Sequence, residues 1–108
     1  MNTVNPDLAH VVEAASRPLE LAVVLPTFNE RANLATMVDR LDEALAGIPW
    51  EAIFVDDNSP DGTSDEARAL ALRDPRVRVI QRIGRRGLSS AAIEGMMATA
   101  SPVVAVMD

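Results

Sequence analysis

The chain has no cysteine among its 108 residues, which excludes disulfides, thiolate nucleophiles and cysteine-ligated metals. Lysine is absent too. All ten basic residues are arginine, so any mechanism that demands a lysine has no residue to perform it. The lone histidine, His10, lies in a polar stretch, where a solvated bystander is the ordinary reading. No apolar run approaches the roughly 20 residues needed to cross a bilayer. The N-terminus also lacks the basic start and apolar core of a signal peptide, so the segment is expected to face the cytoplasm. A net charge of −6 argues against a nucleic-acid surface, which needs clustered cations.

Hydrophobic residues make up 48% and charged residues 24%, the balance of a folded globular chain. The length suits one small domain or half of a larger one. Residues 1–19, with Asn2, Asn5, Pro6, Ser16 and Pro18, predict a flexible leader, and residues 20–108 hold the fold. Residues 21–25 (Leu-Ala-Val-Val-Leu) form a continuous apolar run, the pattern of a strand covered on both faces and ended by Pro26. Leu34, Met37, Val38, Leu41 and Leu45 recur at helical spacing, with Asn29 as the expected N-cap and Gly47 just past the last turn. A second strand is predicted over 52–55. A capping box, Thr63 with Glu66, opens a second helix that Asp74-Pro75 closes. A third strand over 77–80 is followed by a loop and a third helix carrying Ile93, Met96, Met97 and Ala100, started at Ser89 or Ser90 and stopped by Ser101-Pro102. Residues 103–107 predict a fourth strand. Strands and helices alternating over short connections imply an α/β fold, a parallel sheet with helices on both faces.

In such a sheet ligands bind beyond the carboxyl ends of the strands, and each predicted strand here ends in polar residues. Pro26-Thr27-Phe28-Asn29-Glu30 follows the first, and Asp56-Asp57-Asn58-Ser59-Pro60-Asp61-Gly62-Thr63 follows the second. A helix start alone accounts for Pro, Asn and Glu in the first run. The second is harder to explain that way. Asp56 and Asp57 are adjacent, so they point in different directions and cannot serve one cap, and four acids in two runs raise Coulomb energy unless a cation or hydrogen-bonding ligand is near. The third run, residues 82–90, places three arginines and two glycines ahead of a helix N-terminus, a place that suits anions, with Arg85 and Gly87 as candidate site residues. No Walker lysine or G-x-G-x-x-G pattern sharpens it, and a solvated basic loop accounts for the run equally well. Asp108 is a carboxylate at the end of the fourth strand.

Together, Pro26-Thr27-Phe28-Asn29-Glu30, Asp56-Asp57-Asn58-Ser59-Pro60-Asp61-Gly62-Thr63 and Gly87-Leu88-Ser89-Ser90-Ala91 resemble the successive motifs of family 2 glycosyltransferases. The nearest branch is the dolichol-phosphate (polyprenyl-phosphate) mannosyltransferase-like enzymes. The resemblance implies the N-terminal, nucleotide-binding half of a GT-A (Rossmann-like) fold, cut at its D-x-D motif where the sequence stops. It implies transfer of a hexose from a nucleotide diphosphate sugar, of GDP-mannose or UDP-glucose type, to a polyprenyl or dolichyl phosphate with inversion. By similarity, Pro26, Thr27 and Glu30 line the nucleoside pocket, Asp57 faces the base, and Asp56 and Asp61 support it. Asp108 matches the first aspartate of the D-x-D motif that holds a divalent cation, Mg2+ or Mn2+. The branch also implies a membrane surface, reached through a C-terminal part absent from this sequence, at its cytoplasmic face. Residues that perform the transfer itself are expected beyond Asp108.

Two alternatives follow from the same residues. A non-catalytic nucleotide-binding fragment keeps the fold without the activity. A phospho-receiver domain also pairs acids at a strand end, but it needs a lysine and places the pair after its first strand.

Overall fold

The computed structural model describes residues 18–107. The expected leader lies outside them up to Arg17, and so does Asp108. The described chain runs β1 (Leu21–Thr27), a 3-10 turn (Arg31–Asn33), α1 (Leu34–Ala44), β2 (Trp50–Asp56), α2 (Thr63–Arg73), β3 (Val77–Gln81), α3 (Leu88–Met97) and β4 (Val104–Val106). All strand pairings are parallel, and the sheet order is β3-β2-β1-β4. The chain therefore steps outward from β1 to β3, then returns to the other side of β1. Right-handed crossovers put helices on one face while the chain moves one way and on the opposite face once it reverses. The packing follows: α1 and α2 cover Val23, Leu25, Trp50, Ala52, Phe54 and Val77, whereas Ala91 of α3 packs with Val24, Ile53 and Val55 on the reverse face.

β2 is buried along its whole length, which explains a run with no polar alternation before Asp56. Each fully buried Phe, Ile or Val contributes about 1.5–3 kcal/mol by leaving water. α3 sits against β1 through Gly95, where a Cβ would lie 2.3 Å from Val24 Cγ1, so only glycine permits this approach. At the amino end of the sheet Arg76 stacks 4.4 Å from the Trp50 ring and pairs with Asp74 and Asp42, tying α1 to the start of β3. Glu51 accepts from Arg78 and from Thr99 Oγ1, anchoring the segment between α3 and β4.

Several boundaries differ from the sequence expectation. Pro26 does not end the first strand but lies inside it, opposite Val55. Val24 accepts from Met107 on the β4 side while Thr27 accepts from Asp57 on the β2 side. By alternation the missing Pro26 N–H falls on the β4 side, where among the described residues the pairing is confined to Ala22, Val23 and Val24. Asn29 does not cap α1: it adopts a left-handed φ of 54°, and the chain passes through the 3-10 turn first. The Thr63–Glu66 capping box does not form. Gly62 occupies the N-cap with φ 88°, and the Thr63 hydroxyl instead donates to Asp61. α3 begins at Leu88 and ends at Met97, ahead of Ser101-Pro102, because Thr99 is drawn down to Glu51. Among the described residues no helix is long and apolar enough to cross a membrane.

Candidate functional site

The reversal of strand order between β1 and β4 opens a crevice at the carboxyl ends, the position where open α/β sheets take ligands. The loops that follow β1, β2 and β3 meet there and are bonded into one rim. Three successive backbone N–H groups of the first loop are held by side chains of the second: Asn29 N–H donates to Ser59 Oγ (2.9 Å), Glu30 N–H to Thr63 Oγ1 (3.1 Å) and Arg31 N–H to Asp61 Oδ2 (3.3 Å). Asn58, also left-handed at φ 55°, accepts from Gln81 Nε2 at 2.9 Å, joining the second loop to the end of β3. Asparagine tolerates that backbone region better than most residues, so this stretch needs the residues it has.

Asp56 and Asp57 point apart, as adjacency requires. Asp56 is fully buried beneath the rim. Its carboxylate accepts from Thr27 Oγ1 (3.1 Å), Ser59 N–H (3.0 Å), Ser59 Oγ (2.6 Å) and Ser64 Oγ (2.7 Å), so it shapes the rim from below. Asp61 accepts from Thr63 N–H and hydroxyl and from Arg31 N–H at the start of α2. The Thr63 hydroxyl bond, opposed by burial and helped by those N–H groups, lowers its pKa.

Asp57 turns the other way, onto Arg82. Arg82 Nε donates to Oδ1 at 2.6 Å and Nη2 to Oδ2 at 3.1 Å, a bidentate fork, and Gly87 N–H adds a bond to Oδ2 at 3.1 Å. The Arg82 fork, opposed by burial and aided by Gly87 N–H and the charges of Arg82 and Arg86, holds the carboxyl below its ordinary value. Arg82 is raised in turn, first by its bonds to Asp57. This arginine has no exposed side-chain surface. The sequence pattern did not single it out, because an arginine in a Gly/Arg-rich run reads as solvated and its partner lies 25 positions upstream.

Two hollows on the rim share Asp57 as a wall. One, of about 160 Å3, is lined by Pro26, Thr27, Phe28, Leu88 and Ala91 with Asp57. The other, of about 320 Å3, is lined by Asn58, Arg82, Gly84, Arg85 and Arg86 with Asp57. A small recess of about 60 Å3 at the β1–β4 crevice brings Glu30 beside Pro26, Thr27 and Met107. Arg86 lies over the Phe28 ring at 5.4 Å, spanning the first and third loops, and Arg85 pairs with Glu94 at 3.0 Å. Of the predicted residues, Pro26, Thr27, Glu30, Asp57 and Arg85 thus line hollows on one rim, while Gly87 braces Asp57 through its N–H. Among the described residues no group of three or more His, Cys, Asp or Glu could hold a metal ion.

The family model described as Glycosyl transferase family 2 matches residues 22–108, nearly every residue described above. The chain belongs to the family 2 glycosyltransferases. It is 43% identical over 90 residues to a dolichol-phosphate mannosyltransferase of Pyrococcus furiosus, covering 83% of this chain and 25% of that protein. It is 37% identical over 93 residues to the dolichol-phosphate mannosyltransferase of Saccharomyces cerevisiae, covering 83% and 35%. A polyprenol monophosphomannose synthase of Mycolicibacterium smegmatis is 43% identical over 84 residues, covering 76% and 31%. The chain thus spans about a quarter to a third of the length of these relatives. Among solved structures it is similar to a mannosyltransferase from Pyrobaculum calidifontis in complex with GDP-Man and Mn2+, with a TM-score of 0.64 and 20% identity over 90% of this chain and 33% of that one. That likeness identifies the parallel sheet as part of a GT-A fold.

Proposed function

We propose that this chain supplies the nucleotide-binding part of a glycosyltransferase that moves mannose from GDP-mannose to a polyprenyl or dolichyl phosphate, with inversion at the anomeric carbon. The observation that carries the reading is the joining of the first three motifs into a single rim at the strand-order reversal, with Asp57 as the common wall of two hollows on it. The mannosyl chemistry named for the relatives supports the choice of donor and acceptor. Pro26, Thr27 and Glu30 line the nucleoside side, with Glu30 accepting from ribose or base. Asp57, ionised at neutral pH, accepts N–H groups of the base edge. Arg85 and the Gly87 turn lie toward the diphosphate. Asp56 and Asp61 act from beneath, by holding the loops.

The resemblance to the family's D-x-D motif makes Asp108, next after Met107, the donor for a divalent cation, while the rim carboxylates Glu30, Asp56, Asp57 and Asp61 already accept hydrogen bonds within the protein. A single carboxylate suits a hard cation such as Mg2+ or Mn2+, which fills its remaining positions with phosphate and water oxygens. When bound, such an ion supplies positive charge that stabilises the departing diphosphate. The acceptor phosphate is itself anionic near neutral pH, with a second pKa of about 6, so the need for a strong general base is small. The described residues contribute by binding and orienting the donor for in-line attack. A lipid acceptor implies that the transfer takes place at a membrane surface.

Calorimetric titration of the folded chain with GDP and with UDP, each with and without Mn2+, tests the proposal. GDP should bind more tightly than UDP, and Mn2+ should strengthen it. No heat from either nucleotide with a folded sample overturns the reading.

A further inference from the structure

We infer that Arg82 is a positioning residue for this site: its guanidinium, with no exposed surface of its own, acts by fixing the Asp57 carboxylate and the Gly87 turn in the arrangement that meets a ligand. The ligand's identity rests on the reading just proposed. Three elements converge on this side chain. Its Nε and Nη2 hold the two oxygens of Asp57 at the end of β2, Nη2 also donates to Gly87 O at 3.1 Å, and Nη1 donates to Ser90 Oγ at 2.9 Å in the first turn of α3. Its own backbone N–H donates to Asp56 O at 2.8 Å. Ser90 Oγ in turn lies 3.2 Å from Gly87 O, closing the turn on itself.

Burying a guanidinium is costly unless its donors are met, and here each nitrogen has a partner. The arrangement does more than satisfy a buried charge. The carboxylate it orients is the wall shared by both hollows, whereas the other two arginines of the same run stay exposed. Lysine, a point charge with no planar fork, cannot hold both oxygens and the Gly87 carbonyl together. The charged groups acting on the pair are Arg86 from the β3–α3 loop, on Asp57, and Glu94 from α3, on Arg82.

The test uses the whole 108-residue chain. Carboxyl-carbon NMR of Asp57 across pH and amide exchange at Gly87, both without nucleotide, are compared in wild type and Arg82→Lys. The expected result is a higher Asp57 midpoint and about tenfold faster Gly87 exchange. GDP affinity is then measured in a cycle with Asp57→Asn. Arg82→Lys should weaken binding about tenfold alone and by less than about twofold in the Asp57→Asn background, the non-additivity of a residue acting through another. Equal losses in both backgrounds, or an unmoved Asp57 midpoint, overturn the inference. Ser90→Ala, which removes the Nη1 acceptor together with the hydroxyl's own contacts to Gly87 O and Arg86 O, should move the Asp57 midpoint in the same direction by less. It decides the matter where Arg82→Lys does not fold, and no movement in it counts against the inference. A wild-type chain that binds no GDP overturns the nucleotide reading, while the nucleotide-free measurements still decide the role of Arg82.

Discussion

Removing the Asp57 carboxylate strands a cation in the interior, and the size of the effect follows from the packing. Arg82 has no exposed side-chain surface and Asp57 retains 14%. Breaking a buried ion pair by deleting one partner costs about 3–5 kcal/mol, because the other charge stays desolvated without compensation. A small domain has about 5–15 kcal/mol of stability in all. Asp57→Ala should therefore remove a large share of it, and with a urea m-value of about 1–2 kcal/mol/M the midpoint should fall by about 1.5–5 M. Asp57→Ala/Arg82→Met removes both charges and leaves the methionine among Asp57's former neighbours and Ser90, so the double variant should be more stable than Asp57→Ala alone. Urea unfolding followed by circular dichroism and by fluorescence of Trp50, the single tryptophan and a buried one, reads all three. A loss below about 1 kcal/mol for Asp57→Ala, or a double variant less stable than that single one, would refute the claim that the pair is buried and mutually dependent.

Gly95→Ala gains up to about 1 kcal/mol of helix propensity. It should nonetheless destabilise the chain by a net of about 1–3 kcal/mol through the clash with Val24, and a higher melting temperature would contradict the close approach of α3 to β1. Asp57 and Asp74 are both held below the ordinary aspartate value of 3.8, Asp57 first by Arg82 and Asp74 by Arg76 bonding that outweighs its burial. Because their folded pKa values lie below the unfolded ones, their stabilisation is present above about pH 4 and is lost as pH falls through the folded values. Urea midpoints from pH 6 down to 3 should drop, and drop less in Asp57→Asn. Asp74→Ala should lower stability yet leave GDP affinity unchanged, since Asp74 lies at the amino end of the sheet with Arg76, and a matching loss of affinity would count against the map of the site. Replacing Arg85 and Arg86 with serine should weaken nucleotide binding and flatten its salt dependence. An unchanged salt profile would return both residues to the role of a solvated loop.

The fold was largely legible because its signals are local. A continuous apolar run such as Ala52-Ile53-Phe54-Val55 has no other home than a covered strand, and the acids and glycines behind it mark where the sheet's carboxyl edge must be. Even the opposite aims of Asp56 and Asp57 follow from their adjacency. What was illegible depends on partners far along the chain. Thr63 reads as half of a capping box until Asp61 claims its hydroxyl and Glu30 N–H takes its oxygen. Arg82 reads as solvated until Asp57, Gly87 and Ser90 close around it. Pro26 reads as a strand terminator because nothing local tells which neighbouring strand its nitrogen faces.

That proline has a consequence for how the crevice stays open. A strand running along the β4 side of β1 past Val24 meets a nitrogen with no hydrogen to offer, so at Pro26 it can be bonded only through the carbonyl. That limit on the edge beside the first motif is written into covalent structure and needs no side chain to impose it.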